Sequence, residues 1–181
     1  MSIDKKNLRN AIRQINKQCL TSSYYAEASL AICHTLKTLP IWEQAEKIAL
    51  YHALPDEPDL TPLLSEYATS KQLFLPKVED AEDIAFYPYF EEKSLSIGSY
   101  GIAEPSFQKE LAVLPETLDL IIIPGVAFTP NGVRMGRGKG YYDRFLPQTQ
   151  ATLIGVTFRY RLLPHLPHDT WDFLMHHVIT D

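Results

Sequence analysis

The segment that most restricts the fold is "LDLIII" (118–123), followed by Pro124 and Gly125. Its apolar residues occupy successive rather than alternate positions, so a strand built from it buries both faces. That is the condition of a central strand in a sheet covered on both sides. Other short runs read the same way. "KIALYHAL" (47–54) and "ATLIGVTF" (151–158) are expected buried strands, "QLFLPKV" (72–78) the next, and "LMHHVITD" closes the chain as a last one. "IAFYPYF" (84–90) reads as an edge strand, because Pro88 cannot donate to a ladder. Helical patterns lie between the strands. Leu8, Ile12, Ile15 and Cys19 recur at helical spacing over residues 4–19, with Lys5, Arg9 and Arg13 forming a second stripe. A second helix is expected over 24–39, stopped by Pro40, and a third over "TPLLSEYATSK" (61–71), with Pro62 in its first turn. Strands alternating with helices predict an α/β fold: a single three-layer domain over 1–181 with a mostly parallel, Rossmann-like central sheet flanked by helices.

Charge narrows the function. Among 181 residues, 17 Lys and Arg face 22 Asp and Glu, a net charge of -5, whereas nucleic-acid or membrane-surface binding needs a broad basic field. Any anion site must therefore be local. Cys19 and Cys33 are too few for a disulfide framework or a zinc site, and both are expected as buried free thiols. The histidines other than His52 show no metal-ligand spacing. "MSIDKKNLRN" lacks the apolar core of a signal peptide and no run reaches transmembrane length, so a cytoplasmic, monomeric protein is expected.

The local site is suggested by "PGVAFTPNGVRMGRGKGYYDRF" (124–145), which follows the buried run at the carboxyl end of its strand, where open α/β sheets bind ligands. Four of the eight glycines fall between Gly132 and Gly140, and Arg134, Arg137 and Lys139 are threaded among them. Gly136, Gly138 and Gly140 permit close backbone approach, so that amides can converge on an oxyanion. Arg supplies a planar fork for phosphate or carboxylate, and Lys a point charge. The segment matches neither the P-loop nor the dinucleotide fingerprint. Tyr141 and Tyr142 offer flat faces suited to an aromatic heterocycle. Asp143 either holds Mg²⁺ beside phosphate oxygens or serves as a carboxylate favoured by a helix dipole, and the residues alone leave both open.

This segment resembles the 5-formyltetrahydrofolate cyclo-ligase (5,10-methenyltetrahydrofolate synthetase) family, which shows Pro-Gly, an aromatic, then Gly-x-Arg-x-Gly-x-Gly-x-Gly-Tyr-Tyr-Asp. Further matches run in order through "KKNLR", the "DE" after the first strand, "GIAEP" (101–105) and the "WD" before "VITD". The resemblance implies an enzyme that uses Mg²⁺ and ATP to convert 5-formyltetrahydrofolate to 5,10-methenyltetrahydrofolate, through a phosphorylated formyl (iminium phosphate) intermediate, with release of ADP and phosphate. Its partners are then small molecules, with no nucleic acid and no membrane. It implies ATP contacts at Lys5, Arg9, Arg134, Gly136, Arg137, Gly138, Lys139, Gly140, Tyr141 and Tyr142. The folate site takes His52, Glu57 and Arg137 through Tyr141, with Tyr87, Phe90 and "GIAEP" adding to its pocket. Arg137 and Lys139 are the implied catalytic charge stabilisers, and Asp143 and Asp172 the implied Mg²⁺ positions. Two other readings remain: a sugar-phosphate isomerase or acyl-transferring protein of similar architecture, and a folate- or nucleotide-binding regulatory protein without turnover.

Overall fold

In the computed structural model, which describes residues 5–91, 95–98, 101, 103–106, 109–169 and 172–181, the chain opens with three helices, α1 (Lys5–Cys19), α2 (Ser22–Lys37) and α3 (Pro40–Gln44). It continues through β1 (Lys47–Ala49), α4 (Thr61–Tyr67), β2 (Gln72–Val78), β3 (Ile84–Tyr89), β4 (Leu95–Ile97) and β5 (Ala103–Pro105). The second half holds β6 (Leu120–Pro124), β7 (Ala127–Phe128), β8 (Arg134–Met135), α5 (Tyr141–Phe145), β9 (Thr152–Val156) and β10 (His177–Ile179).

Six strands form one sheet in the order β10-β9-β6-β1-β2-β3, parallel throughout except for the antiparallel β2–β3 pair at the edge. Pro88 lies in that edge strand, as expected for a residue without an amide proton. The four residues Leu120 to Ile123 of β6 are wholly buried and alternate between two cores. Leu120 and Ile122 join Ile48 and Ile154 against Ile32 and Leu36 of α2 and Leu63 and Leu64 of α4. Ile121 and Ile123 face the other way, into a cluster with Phe74, Phe86, Phe128 and Phe145. The continuous apolar run is thus covered on both sides, which is what its composition requires.

The order of strands places the ligand crevice. From β1 the chain steps to β2 on one side, then crosses to β6 on the other and continues outward to β9 and β10. The reversal falls between β1 and β6, and the space beyond their carboxyl ends is where such sheets accept ligands.

Several local expectations need correction. β1 stops at Ala49 rather than Leu54; Leu50 N–H still reaches Phe74 O, and the chain then leaves the sheet, with Tyr51 hydroxyl donating to Pro58 O. Helix α2 ends at Lys37, and Pro40 opens α3 at its first turn, where the missing amide proton costs nothing. Cys19 is exposed, Ile15 is 39% exposed, and Ile12 is the buried residue of α1. Among the described residues Ile12, with Leu8 partly buried beside it, packs into a small cluster with Val126, Val133, Met135 and Leu166. His176 belongs to the sheet rather than to any site: its Nδ1 accepts Leu153 N–H at 2.8 Å just before β10 begins. Among the described residues no helix is long and apolar enough to cross a membrane.

Candidate active site

After β6 the chain forms the β7–β8 hairpin, runs through Gly136–Gly140 and enters α5. Gly138 (φ +99°) and Gly140 (φ +75°) lie in the left-handed region that other residues rarely adopt, and they turn the chain back towards the ends of β1 and β6. A cavity of about 340 Å³ opens there. The segment after β1 supplies Tyr51, His52 and Glu57 to its wall, and β2 and β3 supply the apolar Pro76, Val78 and Ile84. The opposite wall is the glycine-rich loop itself, residues 136–140, continuing into Tyr141, Tyr142 and Asp143. Glu104 of β5 closes one end, and burial pushes its carboxyl above the usual range.

Glu57 is 4% exposed, and both of its oxygens are engaged. Oε2 accepts Leu54 N–H at 3.1 Å, and Oε1 accepts Arg137 Nε–H at 2.9 Å. Arg137 also donates through Nη2 to Asp56 Oδ1 at 2.5 Å. Burial alone would lower the Arg137 pKa, but Glu57 and Asp56 outweigh it and the net shift is upward, so the loop keeps its cation. Two polar atoms on the cavity residues, His52 Nδ1 and Tyr142 hydroxyl, are buried with no hydrogen-bond partner among the described residues. Burial, then the neighbouring Glu57, raises the Tyr142 pKa, which keeps the hydroxyl a donor. An unpaired buried polar atom is costly, and a ligand that pairs it is correspondingly favoured.

A second, smaller depression of about 50 Å³ adjoins the first, and Arg134, Gly136, Gly138 and Asp143 line both. Lys5 and Arg9 of α1 and Asp172 complete its rim. Arg9 Nε donates to Gly136 O at 2.8 Å, which fastens α1 to the loop. Lys5 lies 3.0 Å from Asp169 and 3.3 Å from Asp172. Burial works against its ammonium, yet hydrogen bonds to the two carboxylates prevail and raise its pKa. Arg134, largely buried, pairs with Asp143 at 2.7 Å. Asp143 and Asp172 face one depression; among the described residues no group of three or more His, Cys, Asp or Glu side chains is arranged to hold a metal.

The residues assigned to the ATP, folate and Mg²⁺ positions therefore meet at one place. Lys5, Arg9, Arg134, Gly136, Gly138, Asp143 and Asp172 surround the small chamber, and His52, Glu57 and residues 137–142 the large one. Two expectations fail. Tyr87 is core, its hydroxyl donating to Glu79 at 2.7 Å, and Phe90 is 64% exposed; neither lines the cavity, because the outer half of edge strand β3 points away from the switch point. Of "GIAEP", Glu104 reaches the wall, while Ile102 lies outside the described residues, as does Trp171 of "WD". Tyr51 was not legible as a site residue, its sequence signal being adjacency to His52, and Asp56 entered only as the first residue of the matched "DE", with no role. Arg161, outside both chambers, showed only as an arginine among aromatics.

The fold is thus an α/β sheet whose switch point carries two adjoining chambers, one ringed by cations and acids and one with apolar residues in its wall. The chain belongs to the 5-formyltetrahydrofolate cyclo-ligase family, whose model matches residues 1–181. It is 32% identical to a probable 5-formyltetrahydrofolate cyclo-ligase of Schizosaccharomyces pombe, over 99% of this chain and 96% of the relative. It is 28% identical to the 5-formyltetrahydrofolate cyclo-ligase of Escherichia coli, over 93% and 96%. Among solved structures, the 5,10-methenyltetrahydrofolate synthetase of Aquifex aeolicus superposes with a TM-score of 0.83 at 37% identity, covering 96% of this chain and 88% of that one. The corresponding synthetase of Mycoplasma pneumoniae gives 0.79 at 25%, covering 99% of each.

Proposed function

We propose that this protein, acting as one domain over residues 1–181, is an ATP-dependent 5-formyltetrahydrofolate cyclo-ligase. The observation that carries the reading is the shared wall: residues of a single glycine-rich loop line both chambers, so two substrates bound there meet at that loop. The small chamber suits the ATP phosphates, with Lys5, Arg9 and Arg134 as cations and Gly136 and Gly138 allowing close approach. The large chamber suits the folate, whose ring donors and acceptors meet His52 Nδ1 and Tyr142 hydroxyl.

The chemistry follows from what an amide needs. A formyl oxygen is a poor leaving group; its attack on the γ-phosphorus, with ADP departing, gives an iminium phosphate. Nitrogen 10 then attacks the formyl carbon, and loss of phosphate and a proton leaves the methenyl bridge. Phosphoryl transfer of this kind depends on positioning and on charge neutralisation rather than on covalent help from the protein. Arg137 and Lys139, on the shared loop, are placed to stabilise charge developing between the chambers, and Tyr141 to cover the folate. Asp143 and Asp172 suit Mg²⁺, which typically uses one or two carboxylates and completes its shell with substrate phosphates and water. When bound, that ion would neutralise phosphate charge; Arg134 and Lys5 balance the two carboxylates otherwise.

The test is direct. Purified protein mixed with 5-formyltetrahydrofolate and Mg-ATP should produce the methenyl chromophore and ADP in equal amounts. Arg137→Ala should lower kcat/KM by about 10²- to 10³-fold, the usual effect of removing one preorganised charge stabiliser. Absence of both products would reject the ligase reading, and tight folate or nucleotide binding without turnover would establish a regulatory protein instead.

A further inference from the structure

Arg161 follows β9 and lies outside both chambers, yet it is 1% exposed. Its guanidinium carbon sits 5.4 Å from the Phe158 ring centre and 5.5 Å from that of Tyr160. Nε donates to Asn16 Oδ1 at 3.0 Å, an oxygen that also accepts the Tyr160 hydroxyl. Nη2 makes no hydrogen bond among the described residues; it lies 3.6 Å from Asp56 Oδ2. Asn16 Nδ2 donates to the same Oδ2 at 3.3 Å. The other oxygen of Asp56 is the one that accepts Arg137.

A buried guanidinium is expensive to desolvate, and well-packed apolar residues of similar volume are commonly as stable or more so. Packing alone therefore does not account for Arg161. What the charge faces is a carboxylate whose second oxygen grips the shared loop. With Arg161 and Asn16 on Oδ2, the Asp56 carboxylate is held so that Oδ1 points at Arg137. Glu57, fixed by Leu54 N–H, grips Arg137 from the second side. Asn16 lies on α1, the helix that carries Lys5 and Arg9, so the same carboxylate joins that helix, the segment after β1 and the glycine-rich loop.

We propose that Arg161 is a positioning residue: it orients the Asp56 carboxylate, and through it aims Arg137 of the glycine-rich loop at the wall shared by the two chambers. The inference rests on the reading of Arg137 given above, and a double-mutant cycle separates the two.

Cyclo-ligase turnover is measured for Arg161→Gln and Asp56→Asn, each alone and in the Arg137→Ala background, alongside melting temperatures. If Arg161 acts through Asp56 and Arg137, each single change lowers kcat/KM about tenfold in the otherwise native enzyme but less than about twofold once Arg137 is gone. Arg161→Lys, which keeps a charge near Asp56 but loses the planar stack and the Nε bond to Asn16, should fall between Arg161→Gln and the native enzyme. Equal fold-losses in both backgrounds would overturn the proposal and leave Arg161 a structural residue. An unaltered kcat/KM in Arg137→Ala alone would instead remove the loop's assigned role, and the proposal with it. Should Arg161→Gln fail to fold, Arg161→Met, which fills the buried volume without the charge, supplies the same cycle.

Discussion

The two cysteines of this chain occupy opposite chemical situations. Cys33, 3% exposed, donates through Sγ to Asp59 O at 3.4 Å, and burial pushes its thiol up to about 11. A raised thiol pKa means that at pH 8 the group is protonated and poorly nucleophilic. Cys19, at the end of α1, is exposed. Iodoacetamide at pH 8 should therefore modify one thiol per native chain, at Cys19, with Cys33 slower by about 100-fold or more until denaturant is added. Peptide mass mapping checks this, and equal labelling would show that the packing around Cys33 opens readily. The contrast was not legible in the sequence, since both cysteines sit in helical patterns with apolar neighbours. What separates them is which stripe the tertiary structure covers. Arg161 illustrates the same point: "FRYR" holds two arginines among aromatics, and nothing local says which is buried. Its partner Asn16 is 145 positions away in the chain.

At the scale of elements, legibility tracked how cleanly turn signals bound an apolar run. β2 and β6 carry apolar runs bounded by turn signals and were readable nearly residue by residue. β1 was overread, because after Leu50 the chain leaves the sheet and Tyr51, His52 and Leu54 go to the cavity wall. α1 was readable as a helix while its depth of packing was not. This helix brings Lys5 and Arg9 to the small chamber, yet Ile12 is its buried residue, with Leu8 partly covered. Polar ties join it as well: Lys5 to Asp169 and Asp172, Arg9 to Gly136 O, and Asn16 to Asp56, Tyr160 and Arg161. Removing the one deep apolar anchor should loosen α1 without disturbing the sheet. Ile12→Ala is expected to destabilise the α1 contact by about 2 kcal/mol, the low end for such a truncation because the surrounding cluster is small. Hydrogen exchange should quicken in α1 while β6 amides stay protected, and KM for ATP should rise more than KM for the folate. Equal rises in both KM values would show that α1 serves the whole site and not the small chamber.

For the whole molecule, a net charge of -5 surrounds a site whose rim gathers Lys5, Arg9, Arg134, Arg137 and Lys139. Those cations come from two distant parts of the chain, α1 and the 134–139 segment, and only the fold joins them. The two chambers share Arg134, Gly136, Gly138 and Asp143, so on the proposed function a ligand in either would fix part of the other's wall. A first ligand that orders the loop lowers the ordering entropy left for the second, and each must then raise the other's affinity by the same factor. Calorimetric titration of a non-hydrolysable ATP analogue with Mg²⁺ should give a Kd about 5- to 50-fold tighter when 5-formyltetrahydrofolate is saturating. The reverse titration should return the same factor, since coupling of binding free energies is reciprocal. Gly138→Ala strains a left-handed backbone position at the centre of the shared wall, and should reduce that factor more than it weakens either ligand alone. Identical Kd values with and without the partner ligand would mean that the loop is already rigid and that the chambers, though joined in space, bind independently.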